Sequence, residues 1–237
     1  MLVQIAKSEV DSERALQAVF AQENRDVFQR FINDANRAML TILRVLSDQC
    51  ALEADDRFEA SHRDNLLSRS TLAMFRYPKH EATEVAQGHG KHTDLGTLTF
   101  LLCRQWGLQV LRPGDGCNNW KFVPPRADCA IVNVGDALRC MSGRRFRSAI
   151  HRVVPVASSP PTKNETQGPQ RQAEDRFSIA YFLRPEDGAM YEDSLMGSYS
   201  AREWHDLKFN VFRQDHETQE QEPFLTGGME RDGNIVR

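Results

Sequence analysis

"GHGKHTDLGTLTFLL", residues 88–102, decides how the rest of the chain is read. His92 and Asp94 stand two apart at the edge of an apolar strand run, where residues i and i+2 project on the same side. A neutral imidazole and a carboxylate so placed can occupy neighbouring positions on one metal, with a third ligand supplied from elsewhere in the fold. The bland alternative is a polar loop between strands.

The texture around this stretch is that of a sheet. From Thr71 onward, "TLAMFRY", "LGTLTFLLC", "GLQVLRP", "NWKFVPP", "CAIVNVG", "RSAIHRVV" and "RFSIAYFL" alternate with Gly, Pro, Asn and Asp. Short runs at this spacing describe a β-sandwich or barrel, not alternating β-α units. "RPGDGCNNW" supplies turn chemistry between two of them. Upstream, Phe28, Phe31, Ile32, Ala35, Met39, Ile42, Leu43 and Leu46 keep to one face of a long helix. A shorter helix is expected before it, capped at Asp11 or Ser12, with Leu16, Val19 and Phe20 on its buried side.

Residues 157–175 are polar and rich in Pro, Ser, Gln and Glu, and read as a long exposed loop. Beyond the sheet, Ser200 and Glu203 form a capping box ahead of a helical stripe of Trp204, Leu207, Val211 and Phe212. The last twenty or so residues read as a polar tail. These boundaries give an N-terminal helical region at 1–70, a core at 71–185 and a C-terminal helix and tail at 186–237, all in one domain.

Composition narrows the function. The 237 residues are 40% apolar and 27% charged, with a formal charge of −3. No large positive field exists to neutralise phosphates, which argues against a nucleic-acid binder. The basic run of Arg144, Arg145 and Arg147 reads as a solvated turn. The five cysteines include no Cys-x-x-Cys pair, so neither a disulfide framework nor a zinc ribbon is favoured. Cys103 and Cys129 fall in strand-like runs and are expected to be core thiols. The sequence shows no signal peptide and no apolar run of bilayer-spanning length, so a cytoplasmic protein without membrane contact is expected.

Two further positions bear on the His92–Asp94 pair. His151 lies midway along "RSAIHRVV", where a histidine is either a satisfied core residue or an inward-facing ligand. Arg176 and Ser178 share one face of the last strong strand. There a guanidinium can fork onto a carboxylate while the hydroxyl donates to the same anion. Singly, an exposed basic residue at a strand start is the simpler reading of Arg176.

Together these features resemble the iron(II)- and 2-oxoglutarate-dependent oxygenase superfamily, in its isopenicillin-N-synthase-like branch. The resemblance rests on "FRYP" at 75–78, "HTDLGTLTFLL", "GLQVL", "VNVGD", "SAIHRV" and "RFSIAYFLRP", in one order over residues 71 to 185. It implies a mainly β fold with flanking helices: a double-stranded β-helix, or jelly-roll, with N-terminal helices on the major sheet. It implies that His92, Asp94 and His151 bind non-heme Fe(II) as two histidines and one carboxylate. Arg176 and Ser178, with Tyr77 as a third donor, would hold the distal carboxylate of 2-oxoglutarate. Three open metal positions then serve the cosubstrate and O2, and the implied reaction oxidises a C–H bond of a small-molecule substrate.

Three departures from the family pattern carry expectations. Phe75 stands where the family commonly has an Asn near the cosubstrate. The segment between His151 and Arg176 is longer than usual and would form a lid or partner-contacting loop. The N-terminal region is short, so a strand of the main sheet is expected to be missing and its edge covered by a second copy or a partner. Two rival functions share the fold: an iron oxidase independent of 2-oxoglutarate, and a catalytically silent partner subunit. The substrate itself is not encoded legibly, although the style of the sequence is compatible with secondary metabolism.

Overall fold

The computed structural model of the protein describes residues 2–6, 23–78, 89–112, 119–154, 175–193, 197–214, 216–227 and 229. Strands β1 (Leu2–Ala6), β2 (Thr71–Tyr77), β3 (His89–His92), β4 (Leu98–Leu102), β5 (Leu108–Leu111), β6 (Trp120–Phe122), β7 (Ile131–Val134), β8 (His151–Val153) and β9 (Arg176–Leu183) form two antiparallel sheets. The larger runs β1-β2-β9-β4-β7 and the smaller β3-β8-β5-β6. Apart from the consecutive pair β5–β6, neighbours in each sheet come from distant parts of the chain, as in a jelly-roll.

Alternation divides the larger sheet into two working faces. On β9, Ile179, Tyr181 and Leu183 join the apolar core, whereas Arg176, Ser178, Ala180 and Phe182 line a cavity between the sheets. On β4, Leu98 and Phe100 belong to the core and Thr99 and Leu101 to the cavity. Helix α1 (Arg25–Gln49) closes the core face. Its Ile32, Ala35, Met39 and Leu43 are buried against Leu72, Leu98, Tyr181 and Leu183. Their spacing keeps one stripe of the helix apolar over its length. Two buried polar residues share that stripe and both have partners: Asn36 Nδ2 donates to the Tyr181 hydroxyl at 3.2 Å and Ser47 Oγ to Glu59 Oε2 at 2.8 Å.

The short helix α2 (Asp136–Met141) follows β7, and the hairpin β10 (Met190–Asp193) and β11 (Gly197–Ser200) leads into helix α3 (Ala201–Phe212). Ser200 caps α3: its Oγ accepts from the Glu203 amide at 3.2 Å, and the Glu203 carboxylate accepts from the Ser200 amide at 2.8 Å. Helix α4 (His216–Gln221) and a 3-10 turn (Pro223–Thr226) come next.

Several expectations are corrected. The main sheet has no uncovered edge at β2, because Leu2–Ala6 pairs with it in antiparallel register from Leu2↔Phe75 to Ala6↔Thr71. The reason for expecting association at that edge is thereby removed. The polar tail is structured to 229 among its described residues, with Leu225, Thr226 and Met229 buried. On α3 it is Lys208, not Leu207, that faces inward: Lys208 is 0% exposed and Leu207 41%. Cys129 is exposed and Cys103 only half-buried, while Cys140 is the buried thiol. The expected first helix, most of the "RPGDGCNNW" turn and the loop at 157–174 lie outside the described residues.

Leu43→Ala should cost about 2–5 kcal/mol of stability, as truncation of a well-packed core leucine does. Urea unfolding at constant slope would read this as a lowered midpoint. A loss below about 0.5 kcal/mol, typical of surface changes, would contradict the placement of α1 on the sheet.

Candidate metal centre

Sheet register brings the three candidate ligands together. His92 ends β3 and His151 begins β8, and the two are cross-strand partners, with ring centroids 4.2 Å apart. Asp94 follows His92 by two residues, and its Oδ1 lies 3.9 Å from His92 Nε2 and 3.8 Å from His151 Nε2. One ligand atom from each residue falls within 4.8 Å of the others, a spacing that can hold a metal ion. Among the described residues no other cluster of His, Cys, Asp and Glu meets that spacing.

Each of the three has its second polar atom occupied by the protein. His92 Nδ1 lies 2.8 Å from the Gly90 carbonyl oxygen, and His151 Nδ1 2.9 Å from that of Ala149. A carbonyl only accepts, so both Nδ1 atoms carry the proton, and both Nε2 lone pairs point to the centre. Asp94 Oδ2 accepts from Thr99 Oγ1 at 2.7 Å and Asn133 Nδ2 at 2.8 Å, leaving Oδ1 for the centre. These two donors are themselves cross-strand partners on β4 and β7. Buttressing of this kind fixes ligand orientation around metals.

The electrostatics agree. Burial is the largest influence on the Asp94 carboxyl and opposes its ionisation, but the His151 and His92 rings and the bonds from Asn133 and Thr99 prevail. Asp94 is therefore held below the usual carboxylate range. Once both imidazoles are neutral ligands, the charge of a cation takes over that stabilising part.

The cavity beside these atoms, of about 100 Å³, is lined by all six of the candidate residues Tyr77, His92, Asp94, His151, Arg176 and Ser178. A single water needs only about 10–15 Å³ on the same measure, so the space is no packing defect. Arg176 is 2% exposed, stands opposite Tyr77 in register, and lies 4.9 Å from the centre of its ring. Its Nε donates to the Trp106 carbonyl at 3.0 Å and one terminal nitrogen reaches Cys103 Sγ at 3.1 Å. Its Nη1 is buried without a hydrogen-bond partner, and among the described residues no carboxylate pairs with it. An unbalanced guanidinium in a buried cavity is costly unless an anion arrives to meet it. Tyr77 is pushed up by burial against the opposing pull of Arg176 and a hydrogen bond with Ser178, so its hydroxyl stays protonated and able to donate. Gly107, at φ +124, permits this arrangement, since a side chain there would press on Val154 O and the Arg176 guanidinium.

The 2OG-Fe(II) oxygenase superfamily model matches residues 68–185, the span that contains every one of these groups. Relatives extend the match further. The chain is 43% identical over 210 residues to the 2-oxoglutarate-dependent dioxygenase iboH of Amanita muscaria, covering 89% of this chain and 96% of that protein. The chain belongs to the 2OG-Fe(II) oxygenase superfamily. It is also 49% identical over 229 residues to the 2-oxoglutarate-dependent dioxygenase frbH of a Dothideomycetidae species, covering 96% of this chain and 66% of that one. The chain spans 66%, 48% and 61% of the lengths of three such relatives, so it is about half to two thirds as long as they are. The crystal structure of JOX2 in complex with 2OG, Fe and JA superposes with a TM-score of 0.67 at 22% identity, covering 87% of this chain and 58% of that one, and so supports the fold.

For a member of this superfamily, the donor set fits the two groups the family name implies. Two nitrogens and one carboxylate oxygen suit Fe(II), and the unpaired Arg176 nitrogen suits a carboxylate. Reading the sequence for chemistry missed Thr99, Asn133, Asp136 and Lys208. The first two were within reach, because alternation from Leu101 and Ile131 places both on the cavity face.

In the metal-free protein at mildly alkaline pH, long-range proton–nitrogen NMR should find both ligand imidazoles as the Nδ1–H tautomer. An Nε2–H tautomer in either ring would contradict the carbonyl-imposed orientation.

Proposed function

We propose that this chain is a 2-oxoglutarate-dependent dioxygenase that binds Fe(II) through His92, Asp94 and His151 and oxidises a C–H bond of a small organic molecule. The observation carrying this reading is the pairing, in one cavity, of a three-ligand centre with a buried guanidinium whose Nη1 lacks a hydrogen-bond partner. When bound, Fe(II) and 2-oxoglutarate would supply the oxidising chemistry, with succinate and CO2 as the products of the cosubstrate.

The protein's own part is to bind, orient and exclude water. His92 Nε2, His151 Nε2 and Asp94 Oδ1 would hold Fe(II), and three protein ligands would leave coordination positions for small molecules. Arg176, Ser178 and Tyr77 receive the distal carboxylate of 2-oxoglutarate, the guanidinium supplying charge and the two hydroxyls direction. Leu101, Leu108, Val110, Ile131 and Val153 make the remaining wall apolar, which keeps stray water from the reacting centre. Phe75, stacked on Tyr77 with ring centroids 6.1 Å apart, puts an apolar ring on the cavity wall beside the phenol.

On this reading residues 71–185 are the catalytic core; among the described flanking residues, Leu2–Ala6 extends its larger sheet, α1 covers the core face, and Lys208 and Leu225 bond to Thr93. The unpartnered Arg176 nitrogen favours a 2-oxoglutarate enzyme over an oxidase that dispenses with it, and over a silent subunit. Fungal relatives named as dioxygenases at 40–49% identity suit a role in secondary metabolism. Among the described residues no helix is long and apolar enough to cross a membrane. The formal charge of −3 suits action on a small molecule rather than a nucleic acid, and a cytoplasmic site of action belongs to the same reading.

His92→Ala, Asp94→Ala and His151→Ala should each abolish Fe(II) binding with the fold retained. Arg176→Ala should instead weaken 2-oxoglutarate by about 2–5 kcal/mol, as loss of one partner from a buried charge pair does, and leave Fe(II) affinity close to wild type. Anaerobic titrations of each ligand measure both effects, and succinate formation dependent on 2-oxoglutarate measures turnover. Equal damage to both ligands by Arg176→Ala would contradict the assigned roles.

A further inference from the structure

Outside the cavity lining lies a buried ion pair that the proposed chemistry does not use. Lys208 on α3 and Asp136 at the start of α2 are each 0% exposed, with Nζ 2.6 Å from Oδ2. Lys208 directs its two remaining donors to one residue: Nζ lies 2.8 Å from the carbonyl oxygen of Thr93 and 2.7 Å from its hydroxyl. All three ammonium donors are therefore used. Thr93 is the residue between His92 and Asp94, and it is itself fully buried.

Asp136 reaches the rest of the ligand set. Its Oδ1 accepts from Ser148 Oγ at 2.8 Å, three residues ahead of His151, and its backbone amide donates to the Asp94 carbonyl at 2.8 Å. The C-terminal segment seals the group from behind. Leu225 O accepts from the Thr93 amide at 2.7 Å, and Gly227 sits so close that a Cβ there would lie 3.0 Å from Asp136 Oδ1.

Stability alone does not explain such a pair. Taking two charges out of water is expensive, and apolar residues of similar volume are often as stable or more so. What an ion pair offers beyond packing is direction, and direction is what a ligand turn requires: metal ligands must be held to about half an ångström by the groups behind them. An apolar side chain at 208 would fill the space but leave the Thr93 carbonyl without the ammonium donor and Asp136 Oδ2 without its hydrogen bond, while Oδ1 kept Ser148 Oγ and the Arg139 guanidinium 3.9 Å away.

We propose that Lys208 is a positioning residue for the metal centre, its ammonium bolting Thr93 to Asp136 and so setting the spacing at which His92 and Asp94 meet a metal. This rests on the reading of His92, Asp94 and His151 as metal ligands, and the test separates the two. The metal-free full chain is titrated with Co(II) alone, followed by visible absorption, for wild type, Lys208→Met, Thr93→Val, Leu43→Ala and His92→Ala, with urea unfolding in parallel.

Folded Lys208→Met should bind Co(II) about 10–100-fold more weakly than wild type, the loss expected when support behind a ligand is removed. Leu43→Ala, a core change remote from the turn, should lose stability yet keep wild-type affinity, which distinguishes a displaced ligand from a weakened fold. Thr93→Val removes the hydroxyl acceptor while leaving the Lys208–Asp136 pair intact, and should weaken Co(II) in the same direction by less. Wild-type affinity in folded Lys208→Met overturns the proposal. Should that variant not fold, Thr93→Val decides: weakened Co(II) supports the role and unaltered affinity overturns it. Retention of Co(II) by His92→Ala would overturn the metal-site reading beneath it, whereas its loss there alone would overturn only the role of Lys208.

Discussion

A carboxylate must stay ionised inside the barrel, and the arrangement of the site follows from that constraint. Asp94 is 6% exposed, and burial alone would favour its neutral form. Thr99 and Asn133 bind one oxygen from β4 and β7, and two imidazoles face the other from β3 and β8. Strands from both sheets are thus recruited to one functional group. The histidines obey the same economy, each giving one nitrogen to a backbone carbonyl and keeping the other for the centre.

Register is what turns the fold into a site. The pairs His92↔His151, Thr99↔Asn133 and Tyr77↔Arg176 are all cross-strand neighbours. The same pleat that sends Tyr181 and Leu183 toward α1 sends Arg176 and Ser178 into the cavity. A one-residue slip of β9 would exchange those sets, burying a guanidinium in the apolar core. The core packing of α1 and the chemistry of the cavity therefore specify one another.

Much of this was legible because it is written in alternation and spacing. The strands carrying Tyr77, His151, Arg176 and Ser178 are apolar enough to be recognised, and the long stripe of α1 repeats at helical period. Other features are properties of tertiary pairing. The five residues Leu2–Ala6 are too few to reveal that they complete a sheet across the 64 residues of chain that separate them from β2. The β10–β11 hairpin lacks an apolar alternation, since Met190 is 62% exposed and Tyr191 is the buried residue. Lys208 is written with the same letter as a solvated lysine, and only the presence of Asp136 and Thr93 around it reveals its burial. The polar sequence near the C-terminus concealed a docking made by a backbone atom, the Leu225 carbonyl on the Thr93 amide.

The central claim is that two imidazole nitrogens and one carboxylate oxygen share a single ferrous ion, with the distal end of 2-oxoglutarate on Arg176. An anaerobic crystal structure with Fe(II) and 2-oxoglutarate measures this most directly. It should place iron within bonding distance of His92 Nε2, Asp94 Oδ1 and His151 Nε2, and a carboxylate on the free Arg176 nitrogen. Iron bound elsewhere, or side chains turned away from a common point in well-ordered density, would contradict it.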